Sequence, residues 1–181
     1  MSWNTDSSSG GGISAEEVQA IIATKTGWAQ YEDDQYTQVS PLVVNSGVES
    51  NLSNNAANVI DFQLPVGVTS LYDPVTNKMT PAKSGDGYLL RIGFEAYSSS
   101  QNGYGEVHLD IGGTLGRILT IPITFKKGAG LSNSQSFVVT EFLYSLDTFI
   151  ENGGLITFES IDGNSSIYDI SFIFTRVHEG L

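Results

Sequence analysis

The chain has 181 residues and a mass of 19.4 kDa, enough for one ordinary domain with a real core plus a modest appendage, since a chain of this size buries roughly 70% of its extended surface. Its 20 acidic and 8 basic side chains give a formal net charge of −12 and a pI near 4.3, which argues against a nucleic-acid surface, because neutralising phosphates needs clustered Lys and Arg. Zero Cys excludes disulfide frameworks, thiolate metal sites and thiol nucleophiles together.

Residues 1–12 (MSWNTDSSSGGG) are small and polar apart from Trp3, a composition that does not repay the entropy of ordering, so a flexible arm is expected. Trp3 reads either as an anchor inserting into a partner or as an incidental residue of a frayed terminus. The start lacks the basic and apolar regions of a secretory signal, and no apolar run approaches the roughly 18 residues of a membrane span. A soluble protein without a cleaved leader is the expectation.

Next comes ISAEEVQAIIATKTG, the one strong helix signature. Ser14 as N-cap with Glu17 three residues on makes a capping box, and Ile13 and Val18 occupy the two positions of a hydrophobic staple. Val18, Ile21 and Ile22 share one stripe, and Gly27 supplies a stop. A helix of about three turns is marginal alone, so its stripe must be covered by copies of itself, by another protein or by its own domain.

From Trp28 the pattern changes to period two. Tyr88, Leu90, Ile92, Phe94 and Ala96 alternate with Leu89, Arg91, Gly93, Glu95 and Tyr97, and comparable runs occupy 107–111, 118–125, 136–144, 155–160 and 167–177. Earlier strands are expected near 28–37, 42–44, 59–64 and 70–73, with turn clusters at 84–87, 101–103, 152–154 and 162–164. About ten short strands with no second helical pattern predict an all-β antiparallel sandwich or barrel. Residues 1–27 then form an arm and short helix, and 28–181 the β domain. Tyr168, Ile170, Phe172 and Phe174 fill one face of the final strand, while Ile167, Ile173 and Val177 add to the other. A strand apolar on both faces is expected to meet another chain, which makes Tyr168, Ile170, Phe172 and Phe174 candidate interface residues.

The segment LYDPVTNKMTP (71–81) followed by GDGYLLRI (85–92) resembles a passage of the tumour-necrosis-factor/complement-head superfamily, and SIYDISF (166–172) is similar to that family's last strand. The resemblance implies a ten-stranded jelly roll that forms tight trimers, with the last strand in the trimer interior. GWAQYEDDQYT (27–37), with Ser40-Pro41-Leu42 and Gly47-Val48 after it, resembles a segment of bacteriophage virion proteins carrying such a jelly roll. A phage protein fits the chain better than an animal complement-like one, since virion proteins reach the outside by lysis.

Sites for chemistry are sparse. The triplet Glu32-Asp33-Asp34 lacks the alternating ligands and placed Gly of a calcium loop, and an acidic strand edge that resists aberrant pairing explains it. His108 lies opposite the apolar face of its strand with Asp110 two residues on, and reads as a surface or interface histidine. No Gly-x-Ser-x-Gly elbow occurs, and Gly112-Gly113-Thr114-Leu115-Gly116 opens no helix and lacks a following Lys-Ser/Thr. Aromatics near loops, including Tyr97, Tyr104 and Tyr168, could stack on sugar rings, although strand aromatics more often serve a core or an interface. No catalytic residue, cofactor or metal ligand is nominated.

The expectation is therefore a non-enzymatic virion protein made in the host cytoplasm: a homotrimeric capsid fibre, head fibre, knob or decoration subunit. Trp3, Ile13, Val18, Ile21 and Ile22 would anchor it to a capsid or tail protein. The alternative is a tail-fibre or receptor-binding tip recognising a host-surface glycan or protein through loops 98–105 and 128–136. Neither reading involves nucleic acid or membrane insertion.

Overall fold

The computed structural model describes residues 12–180; Trp3 lies outside them. Helix α1 (Ala15–Lys25) is followed by β1 (Gly27–Glu32), β2 (Leu42–Val44), β3 (Val48–Asn51), β4 (Asn58–Gln63), β5 (Tyr72–Asp73), β6 (Lys78–Met79), β7 (Gly87–Ser98), β8 (Tyr104–Asp110) and β9 (Arg117–Thr124). Then come β10 (Gln135–Tyr144), helix α2 (Asp147–Asn152), β11 (Gly154–Asp162) and β12 (Ser165–His178).

The strands form two antiparallel sheets. One runs β10-β7-β12-β1-β4, with β2 paired to the first residues of β12, and the other runs β5-β6-β11-β8-β9. The period-two segments explain the layering: in β7, Tyr88, Leu90, Ile92, Phe94 and Ala96 are buried, while Leu89 and Arg91 face out. Facing residues of the two sheets meet in two aromatic groups. Tyr31, Tyr72, Phe172 and Phe174 make one, with ring centroids 5.3–6.0 Å apart, and Phe94, Phe125, Phe137 and Phe158 make the other. Such geometry adds to the area each ring removes from water. Burial pushes the Tyr72 hydroxyl well above the usual tyrosine range; it donates to the backbone oxygen of Asn54 at 3.1 Å.

The architecture is the antiparallel jelly-roll sandwich expected, preceded by a short helix. The capping box forms: Ser14 Oγ accepts from the Glu17 amide at 3.1 Å, and the Glu17 carboxylate accepts from the Ser14 amide at 2.7 Å. That second bond, first among the causes, holds the Glu17 carboxyl below the usual range. Gly27 follows the C-cap Thr26 but lacks the positive φ of a glycine stop. Gly27 opens β1 instead, where a Cβ would stand 2.3 Å from the Gln63 carbonyl oxygen; only hydrogen fits so close an approach.

Three expectations fail here. A second helix exists, α2, short and committed to the core by Phe149 alone. More consequentially, β12 is not apolar on both faces of one regular strand. Its pairing with β7 shifts register between Tyr168 and Ser171, and Asp169 has φ 52°, so a bulge inserts a residue and reverses which side chains point inward. Ile167 faces the core before the bulge, and Ile170, Phe172 and Phe174 face it after. The acidic triplet is also not a strand edge. β1 lies between β12 and β4, and Asp33 accepts from the amides of Tyr36 (2.8 Å) and Asn55 (2.9 Å), fixing the turn.

Candidate functional site: an apolar sheet face and an exposed helix

The expected interface residues lie inside the subunit. Tyr168, Ile170, Phe172 and Phe174 are 3%, 1%, 0% and 0% exposed in a single chain, so they have no surface left to offer a second one. Ile170, Phe172 and Phe174 belong to the core cluster, while Tyr168 at the bulge is covered by the loop that supplies Ser134, whose hydroxyl lies 2.7 Å from its own. Tyr168 is therefore no sugar-stacking platform. Tyr104 is tied down as well, donating to Glu106 at 2.8 Å, a bond that with burial raises its hydroxyl above the usual range.

What the six-stranded sheet presents outward is a different set. The register aligns Phe142, Leu89, Thr175 and Trp28 across β10, β7, β12 and β1, and Thr140, Arg91, Ile173 and Gln30 in the next row. Phe142 is 60% exposed and Val138 and Tyr144 are each 55% exposed on β10. Val177 is exposed on β12, and Phe62, 77% exposed on β4, meets Trp28 edge to face at 6.3 Å. Scattered exposed apolar residues are ordinary, but large ones sharing one sheet face mark a contact surface. The sequence carried the signal: Val138, Phe142 and Tyr144 fall on the alternate phase of a strand whose inward phase, Val139 and Leu143, is already apolar.

Helix α1 joins this face at one end. Arg176 Nε donates to the Lys25 carbonyl at 2.9 Å, and Lys25 pairs with Glu179 at 3.5 Å, which fixes the C-terminal turn of the helix to the end of β12. A cleft of about 680 Å³ opens at the junction, lined in part by Ile22, Trp28, Phe62, Leu64, Val66 and Val177. Ile13, Val18, Ile21 and Ile22, the expected anchoring residues, are all exposed. Arg176 itself is buried beside the equally buried Asp86, Nη1 to Oδ2 3.5 Å. Asp86 further accepts from the Tyr88 hydroxyl (2.8 Å) and the Gly180 amide (2.9 Å), so one carboxylate ties together the start of β7, the end of β12 and the residues after it. Among the described residues no helix is long and apolar enough to cross a membrane.

The fold is similar to that of Eiger TNF from S. frugiperda, with a TM-score of 0.56 and 10% identity over 87% of this chain and 96% of that one. The PRD1 vertex protein aligns with a TM-score of 0.45 and 10% identity over 86% of this chain and 98% of that one. A carbohydrate-binding module of a Cellvibrio mixtus lichenase, solved with cellotriose, gives 0.39 and 13% over 86% and 90%. No protein-family model matches the sequence, and no curated protein does. The first of these likenesses establishes a TNF-like jelly-roll fold.

Proposed function

We propose that this chain is a non-enzymatic structural subunit of a bacteriophage virion, a homotrimer displayed on the particle surface and attached through its N-terminal segment. The observation that carries the reading is the outward face of the six-stranded sheet, where Phe142, Tyr144, Val138 and Phe62 stand in water on a single chain, with the half-buried Trp28 packed against Phe62. Two further copies of the chain are the occupants proposed for it. A trimer is also what the resemblance to the tumour-necrosis-factor/complement-head superfamily implies, with the interface moved from the buried phase of β12 to the exposed phase of β10, β7, β12 and β1. A closed cyclic arrangement covers the same patch on every copy and leaves none over.

The helix supports the second half of the reading. Its exposed Val18, Ile21 and Ile22, with the exposed Ile13 just before it, suit a capsid or tail protein, and three linked segments multiply a weak individual contact through effective concentration. The receptor-tip alternative has less support, since Tyr168 is buried and Tyr104 is held by Glu106. The test is rebinding to particles stripped of this chain. Full-length protein should restore particle-bound copies, and protein lacking residues 1–27 should stay trimeric yet fail to rebind. Equal rebinding by both, or strong saturable host-cell binding by the truncated trimer, would favour the tip instead.

A further inference from the structure

The outward face of the second sheet holds a group of side chains that neither the apolar face nor the helix uses. β8 and β11 pair so that Glu106 stands directly opposite Glu159, with His108 opposite Thr157 in the adjacent row. Like charges directly across a strand pair repel, and Glu49 from β3 adds a third carboxylate through its bonds to Thr157 Oγ1 and, at 2.7 Å, to Arg117 Nη2. Arg117, whose Nη1 is 3.8 Å from Glu159, is the cation that faces the group, leaving three carboxylates against one guanidinium.

His108 is not the surface residue its strand phase suggests. It is 0% exposed, and its Nε2 has no hydrogen-bond partner among the described residues. That nitrogen points between the carboxylates, 3.4 Å from Glu159 Oε2 and 3.8 Å from Glu106 Oε2. The other ring nitrogen, Nδ1, lies 3.3 Å from Thr120 Oγ1. With the proton on Nδ1, the Nε2 lone pair faces two carboxylates and repels them. With the proton on Nε2, a buried donor meets no acceptor in bonding geometry, although a charge-assisted N–H···O bond would close to roughly 2.8 Å. A buried polar atom left so is costly, and a metal cation between the three groups resolves both cases.

We propose that Glu106, His108 and Glu159 bind a divalent transition-metal ion of the zinc class, with water completing the coordination from the exposed side. Ligand atoms on tetrahedral arms of about 2.1 Å stand about 3.4 Å apart, and the three ligand atoms here all lie within 4.8 Å of one another. An imidazole with two carboxylates selects zinc-like ions over calcium or magnesium, which take oxygen donors. The outer partners are in place: Thr120 holds the imidazole, and the Tyr104 hydroxyl takes Glu106 Oε1, leaving Oε2 turned to the site. The site departs from the sequence expectation of no metal ligand, because Glu159 is remote from Glu106 and His108 in the chain.

The test is calorimetric titration of the chelator-treated full chain with Zn²⁺, with Ca²⁺ in parallel. One Zn²⁺ per chain is expected, with weaker or no heat from Ca²⁺. Glu106→Gln and Glu159→Gln should each weaken Zn²⁺ binding at least tenfold while leaving the metal-free melting temperature unchanged or higher, since each removes a repulsion. His178→Asn should leave binding intact, and the imidazole nitrogen resonances of His108 should move with one equivalent of Zn²⁺. No stoichiometric binding, binding that survives both Gln substitutions, binding lost with His178→Asn, or a preference for Ca²⁺ would each overturn the assignment.

Discussion

Replacing Phe142 with Asp separates folding from assembly. A phenylalanine exposes roughly 200 Å² when free, and Phe142 remains 60% exposed in one chain, so about 120 Å² of ring is available for a neighbour to cover. At roughly 25 cal/mol/Å² that is about 3 kcal/mol per copy, or about 9 kcal/mol per trimer, a factor of more than a million in the association constant. Burying an unpaired carboxylate adds to the penalty. The side chain lies on the outward phase of β10, away from the core, so the isolated subunit should keep its circular dichroism spectrum and its urea midpoint as a monomer. Sedimentation velocity across a concentration series should show wild-type protein near three times 19.4 kDa and the variant at the mass of one chain. A variant that stays trimeric, or a wild-type chain that is monomeric throughout the series, refutes the assignment of this face.

Phe172→Ala is the converse: it should lower stability by about 3–5 kcal/mol, read from urea denaturation of the Phe142→Asp monomer, where an interface role for Phe172 would predict no loss. Arg176→Met leaves the buried Asp86 without its cation and should cost about 3–5 kcal/mol; hydrogen exchange at the C-terminal turn of α1 should quicken as the Lys25 carbonyl loses its donor. The Asp73 carboxyl is held below the usual range first by the Thr76 hydroxyl, at 2.7 Å, and then by the Val75 amide. Its folded value lies below its unfolded one, so this contribution is present above the unfolded value and is lost as the pH falls through the folded one. Thr76→Val should move the Asp73 titration upward in a carboxyl-detected NMR series, and an unmoved titration would count against the hydroxyl as the cause.

The two sheets were legible where one phase is apolar and the other is not. β7 and β8 follow their sequence alternation because each strand runs without interruption between turns. β12 misleads because its alternation does not continue through Asp169, where the bulge changes phase; the clue in the chain is that the inward apolar residues pass from odd numbers at Ile167 to even numbers at Ile170. The exposed face is readable from Phe142 and Val138, yet β12 carries as many aromatics as β10, three each, and buries its own inside the subunit. His108 is a different kind of miss. Its strand phase points outward as the alternation predicts, yet the ring is buried beside Thr120 of β9 and Glu159 of β11, and no local pattern in the sequence encodes such remote neighbours. Helix α2 was invisible because six residues are too few to show a period.

The bond between Arg176 and the Lys25 carbonyl gives the subunit a direction. It places the helix exit, the end of β12 and the 84–87 turn together at one pole, while the turns around 98–103 and 162–164 hold one another at the opposite pole. If the subunit is fastened through its N-terminal segment as proposed, the second pole turns toward its surroundings, so whatever approaches from outside meets those turns first, and changes there would alter what the surface shows without touching how it is fastened.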